Sequence, residues 1–165
     1  VRKKSQTVEE FIAKRNSDPV WVEQERLRNQ ELERVATIRR EDERDLVQEI
    51  RGCGYEVTSV YDLVNNVINP RYPFLPINFT GSYERAYPIL VKHLDLEHEF
   101  MIRQGIIRAL TVKNAGAEAE SALLRHFSSE MDQSTRWVIA NALRVVMPRR
   151  RRAHYPEIDE LYRNP

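Results

Sequence analysis

From Pro19 to about Arg51 the chain contains no further proline and no glycine, and its apolar residues recur at helical spacing. At about 100° per residue, Val20, Leu27, Leu32, Val35, Ile38, Leu46 and Ile50 share one stripe. Arg28, Glu31, Arg39 and Asp42 interrupt it, so burial is expected to be strongest at the two ends. The run predicts one long helix, rich in good helix formers. Glu23/Arg26, Glu25/Arg28, Glu31/Arg34 and Glu41/Arg44 are spaced to pair along it, each adding about 0.2–0.5 kcal/mol. Ahead of it, Thr7 and Glu10 form a capping-box pattern for a short helix to about Asn16. Asp18 and Pro19 are a cap and first-position pair for the long helix. Gly52-Cys53-Gly54 ends it, and Ser59 caps a short helix from Val60 to about Asn66. Residues 67–81, with Pro70, Pro73 and Pro76, are excluded from regular helix; their aromatic content predicts a loop that packs over the core.

After Gly81 the apolar pattern repeats. The first unit comprises residues 86–94, a turn, then 100–110; the second comprises 119–127, a turn, then 134–143. Arg103 and Arg136 are 33 residues apart, as are Ile106 and Ile139, and Ala109-Leu110 and Ala142-Leu143. Leu90 aligns with Leu124 at 34, and Tyr155-Pro156 opens a third unit 68 residues after Tyr87-Pro88. A period in this range means a stack of supersecondary units, because one hairpin cannot bury its apolar face alone. Gly105 lies inside a predicted helix, where it costs about 1 kcal/mol relative to Ala unless close helix approach requires it.

A helix with proline near its start, leucines at helical spacing, a turn, and a second helix with an arginine and Ala-Leu resembles the HEAT-repeat family. The likeness covers about residues 82–165 and, less fully, the hairpin 46–66. Residues 59–65 ahead of the repeats are similar to bacterial HEAT-repeat proteins whose N-terminal part carries a long charged helix. The fold expected is therefore all-α: a short α-solenoid of HEAT-like hairpins with a long N-terminal helix. Residues 1–52 are expected to form charged helices and residues 53–165 the repeat region, in one compact domain. The helix 156–163 is expected to cap the stack, with Asp159 and Glu160 facing outward.

Net charge is +1, unevenly spread. Residues 1–52 hold 12 basic and 12 acidic side chains, 53–133 hold 7 and 10, and 134–165 hold 7 and 3. The last excess comes from Arg149, Arg150, Arg151 and Arg152, read as a loop that either contacts phosphates or is simply solvated. This is not the broad basic field of a dedicated nucleic-acid binder. No membrane span or secretory signal is visible, and the single thiol, Cys53, fits a reducing, cytoplasmic setting. The Asn78-Phe79-Thr80 sequon is read as chance without such a signal.

The family likeness places the second helices, about 99–111 and 134–146, on a concave face. It assigns Arg103 and Arg136 to tying adjacent turns together. Gln104, Arg108, Lys113, Trp137, Asn141 and Arg144 are the candidate partner-binding residues, with Trp137 either a hot spot or core. His93, His98, Glu97 and Glu99 contain metal-ligating types, but their spacing lies across a turn, so no metal is expected. His126 is read as a helix-end residue that favours the negative end of the dipole. No phosphate loop and no nucleophile elbow occurs, so no cofactor and no reaction is expected. HEAT-like DNA glycosylases use Trp, Asp and Arg; Trp137, Arg136 and Arg144 invite that comparison, but no matching carboxylate completes it. The expected function is a protein-binding scaffold, with a homodimer as one form. Nucleic-acid binding through Arg149–Arg152 and the concave arginines is the alternative.

Overall fold

The computed structural model describes residues 7–66 and 79–163. Most of the proline-rich loop expected over residues 67–81 lies outside them. The described residues form helices and turns and contain no strand. None of their helices is long and apolar enough to cross a membrane. The chain divides into two compact units, Val1–Ile38 and Arg39–Pro165, so the sequence division at 52 falls inside the second.

In the first unit, α1 (Val8–Asn16) begins at the capping box, with Thr7 Oγ1 accepting from the Glu10 amide and Glu10 accepting from the Thr7 amide. Asp18 Oδ1 accepts from the Val20 amide at 3.0 Å, which starts α2 (Pro19–Asp42). Three expected ion pairs form at 2.6 Å: Arg26–Glu23, Arg28–Glu25 and Arg34–Glu31. Arg44, the fourth arginine, lies 3.5 Å from Asp45. Neither helix contains a buried residue. Val20 is 65% exposed and Leu32 61%, so the N-terminal end of the stripe is not buried as expected. Helical periodicity aligns apolar side chains but does not supply the surface that covers them.

In the second unit, the predicted long helix breaks at Glu43. Helix α3 (Arg44–Gly52) starts there without a side-chain cap, and buries Leu46, Val47 and Ile50. No glycine or proline marks the break. The cause is tertiary hydrogen bonding: Glu43 is buried and accepts from Ser59 Oγ at 2.9 Å and the Val60 amide at 3.0 Å. These bonds tie the break to the start of α4 (Val60–Val64), which Ser59 and Asp62 cap as a capping box. Gly54, at φ 88°, supplies the left-handed exit from α3.

A 3₁₀ turn at Glu84–Ala86 leads into α5 (Tyr87–Leu94), followed by α6 (Phe100–Ala109), α7 (Gly116–Ser129) and α8 (Gln133–Val146). The short α9 (Arg149–Arg152) and then α10 (Pro156–Arg163) complete the chain. Helices α3, α5 and α7 pack in sequence as one layer; α4, α6, α8 and α10 pack as a second. Hairpin partners α5/α6 and α7/α8 join the layers. This is solenoid-like stacking of helical hairpins around one continuous core.

Burial follows the 33-residue register closely. Ile106 and Ile139 are buried, as are Ala109 with Leu110 and Ala142 with Leu143. In the first-layer helices the matching pair is Leu90 and Leu123, while Leu124 is only partly buried. The register is therefore 33 throughout, not 34 at the leucines. Leu94 and Phe127 also match in that register. Gly105 answers to a close approach: a Cβ there would stand 2.6 Å from Val60 Cγ1 and 3.0 Å from Tyr61 Cε2. An aromatic row of Tyr55, Phe79, Tyr83 and Tyr87 makes successive edge-to-face contacts, with Tyr83 and Tyr87 ring centres 5.5 Å apart. Tyr83 Oη donates to the Ala109 carbonyl, and burial pushes its phenol up to about 12.

Candidate functional site

Helices α4, α6 and α8 run side by side in the second layer, and residues one or two turns apart on them surround one pocket. Val64, Arg108, Thr111, Trp137, Val138 and Asn141 line a space of about 320 Å³. Three candidate partner-binding residues, Arg108, Trp137 and Asn141, therefore meet there. Their meeting follows from the repeat: Arg108 and Asn141 are 33 apart, one register step. Val64 joins them because Gly105 lets α4 approach α6.

The polar groups differ in what they leave open. Arg108 is exposed and has no ionic partner among the described residues. Thr111 Oγ1 donates to the Ile107 carbonyl at 2.9 Å, so the hydroxyl presents lone pairs. Trp137 is partly buried; its Nε1 is shielded from solvent and has no acceptor. The lining thus offers one guanidinium, one carboxamide, one hydroxyl and one indole between the apolar side chains of Val64 and Val138.

The remaining candidates are placed elsewhere. Gln104 is buried at 7% exposure, so it lies in the core side of α6 rather than on the groove. Lys113 is exposed in the turn after α6 and does not line the pocket. Arg144 is committed: its Nε lies 3.1 Å from Asp159 Oδ1 and its guanidinium stacks over Tyr162 at 3.6 Å. Asp159 accordingly does not face outward as expected; Arg144 and Arg152 hold it toward α8 and α9. Arg149–Arg152 form the helix α9 rather than a loop. Arg151 pairs with the buried Glu120, and Arg152 donates to the Arg144 carbonyl and Asp159. Only Arg149 and Arg150 of the four are exposed without an ionic partner among the described residues.

The tying arginines behave differently from each other. Arg103 Nη1 lies 2.6 Å from Glu130 Oε2 in the turn between α7 and α8, a charge contact without hydrogen-bond alignment. Arg136 lies over the Phe127 ring at 4.8 Å, with its Nε buried and without a partner. His126, in the last turn of α7, meets Asp95 Oδ1 at 2.7 Å, beside Arg125 at the same distance. Hydrogen bonds with His126 and Arg125 hold the Asp95 carboxyl below the usual range.

In a second polar cluster, sequence reasoning singled out His93 and His98 but not their partners Asp42 and Glu49. His98 Nδ1 is 2.9 Å from Asp42 Oδ2, which also accepts from the Glu99 amide at 3.2 Å. His98 Nε2 and His93 Nδ1 are 3.1 Å apart, with the rings stacked. His93 Nε2 stands 3.4 Å from Glu49 Oε1 but is not aligned for a hydrogen bond. When a neutral His98 donates to Asp42, His93 Nδ1 must donate to His98, leaving His93 Nε2 as a lone pair before a carboxylate. Burial holds the His93 imidazole below its ordinary range, with Glu49 opposing and His98 and Lys92 assisting. The ring nitrogens form a row rather than converge, and no group of three or more His, Cys, Asp or Glu side chains among the described residues is arranged to hold a metal ion. Comparison with family models, with characterised proteins and with solved structures finds no match to this chain.

Proposed function

We propose that this chain is a non-enzymatic adaptor of HEAT-repeat type, which holds a peptide segment of a protein partner on its second-layer helices. The reading is carried by the pocket in which Arg108, Trp137 and Asn141 meet on consecutive second helices. The 33-residue register and the two-layer stacking support the family assignment. Trp and Arg dominate the energetics of partner pockets, and a partly buried indole beside an unpaired guanidinium is that kind of anchor. A cytoplasmic bacterial setting is part of the proposal, resting on the lone thiol and the likeness noted above.

Selection of displayed peptides against the full chain tests this reading. The expected result is a set of peptides whose affinity falls at least tenfold in Trp137→Ala and Asn141→Ala and is unchanged in Arg125→Ala on α7. Peptides indifferent to all three substitutions would remove the groove from the proposal. A second copy of the chain is the other protein partner considered, because α1 and α2 expose Phe11, Val20, Leu27 and Leu32. Sedimentation showing only a 19.5 kDa species at high concentration excludes it.

The nucleic-acid reading now rests on Arg149 and Arg150. Two phosphate contacts give a salt slope near about −2, where four would give about −4. Duplex binding with that shallow slope, lost in Arg149→Ala/Arg150→Ala, would favour it over the peptide reading.

A further inference from the structure

We infer that the second-layer groove selects an acidic peptide segment, whose Asp or Glu carboxylate pairs with Arg108 while a neighbouring apolar side chain packs on Val64, Val138 and Trp137. This rests on the peptide-binding reading above and names the partner's chemistry. The first observation is the charge balance of the second layer. Arg103 has Glu130 and Arg144 has Asp159, while Arg136 lies over Phe127 and lines a pocket with Glu157 and Glu160; Arg108 is the arginine on α6 and α8 that faces a pocket with no carboxylate to neutralise it. A guanidinium is weakly hydrated and presents a planar fork that matches a carboxylate. It therefore gains more from an anionic ligand than from water.

The second observation is the set of donors around it. Asn141 brings a side-chain amide to the same wall, and Trp137 brings an indole N–H that has no acceptor. Buried donors are almost always paired, so this one is explained most directly by an oxygen that arrives with a ligand. Turning of the partly buried ring to present this shielded N–H is part of the proposal. The third observation is size and charge number. A space of about 320 Å³ is at the lower end for ligand clefts, suited to one or two side chains rather than a large cofactor. One cation matches one carboxylate; phosphorylated segments are read by clusters of arginine.

The indole N–H supplies its own readout. The chain has two tryptophans, Trp21 and Trp137, so a ¹⁵N-labelled sample gives two indole cross-peaks, assigned with Trp21→Phe. The probes are acetyl-Ala-Leu-Glu-Leu-Ala-amide, its Gln counterpart, and inorganic phosphate. The Glu peptide is expected to move the Trp137 cross-peak saturably at about 1 mM or below while Trp21 stays still, with the Gln peptide at least tenfold weaker. Arg108→Gln, an exposed position that leaves the amide spectrum intact, should make the two peptides equal, and Arg108→Lys should restore part of the preference. Equal binding of both peptides by the unaltered chain overturns the carboxylate assignment and leaves peptide binding standing. Absence of movement with either peptide overturns both. Phosphate moving the cross-peak at lower concentration than the Glu peptide overturns the acidic-peptide assignment in favour of a phosphorylated ligand.

Discussion

Gly105 is the residue on which the α4–α6 approach depends. A methyl group there would gain helix propensity worth about 1 kcal/mol, but it would meet Val60 Cγ1 at 2.6 Å. Val60 is fully buried and its β-branched side chain is stiff, and overpacking of this kind costs about 1–3 kcal/mol. Gly105→Ala is therefore expected to lower unfolding stability by about 1 kcal/mol net, measured by urea denaturation, although most glycine-to-alanine changes inside helices stabilise. His93 sets a pH dependence at the same scale. Its folded imidazole is held below its ordinary value, so folding favours the neutral ring. The unfolded chain then binds more protons, and the stability this residue contributes is full above about pH 6.5 and lost as pH falls through the lowered folded value. The groups facing the ring pair are Asp42, Glu49 and Lys92, and Arg39 and Glu99 pair with each other nearby, the Glu99 amide donating to Asp42. Between pH 7.5 and 5.5, urea midpoints should fall, by at most about 1.4 kcal/mol per pH unit for this proton, and His93→Gln should flatten the slope. An unchanged slope in that variant would assign the effect elsewhere.

Among the elements, two capping boxes with the same local chemistry have different consequences. Thr7 caps α1, which buries no residue, so Thr7→Ala changes local helix content and leaves the cooperative unfolding midpoint unchanged. Ser59 caps α4 and also donates to the buried Glu43 at 2.9 Å. Ser59→Ala removes both bonds and should cost about 1–2 kcal/mol, at the upper end for cap removal, because Glu43 then loses a partner in a desolvated site. Desolvation already raises the Glu43 carboxyl above its usual range. Comparing the two alanine variants in one urea series tests whether tertiary coupling, not the cap itself, sets the cost. Helix α2 belongs with α1: with three surface ion pairs and no buried residue, its stability is that of a solvated helix.

For the whole second unit, stacking makes each hairpin depend on its neighbours, so stability falls toward the ends of the stack. Helix α10 is held by the buried Ile158 and by Asp159, which Arg144 and Arg152 share. Asp159→Asn should speed amide hydrogen exchange in α10 and leave α6 unchanged; equal acceleration in both would mean the unit opens all at once. Much of this organisation was legible in the chain. Helix formers without breakers give α1 and most of α2, Thr7-x-x-Glu10, Asp18 and Ser59 give the caps of α1, α2 and α4, and the 33-residue recurrence of Ile106/Ile139 and Ala109-Leu110/Ala142-Leu143 gives the stacked hairpins. These signals are local or periodic, so backbone propensity and side-chain spacing carry them unaided. Tertiary structure alone decided the rest. It broke the long helix at Glu43, which bonds to residues 16 and 17 positions away. It turned Gln104 inward, tied Arg144, Arg151 and Arg152 to carboxylates, and left Arg108 unpaired beside Trp137 and Asn141. Which charge finds a partner depends on distances between helices, and those distances are fixed by packing, as at Gly105 against Val60.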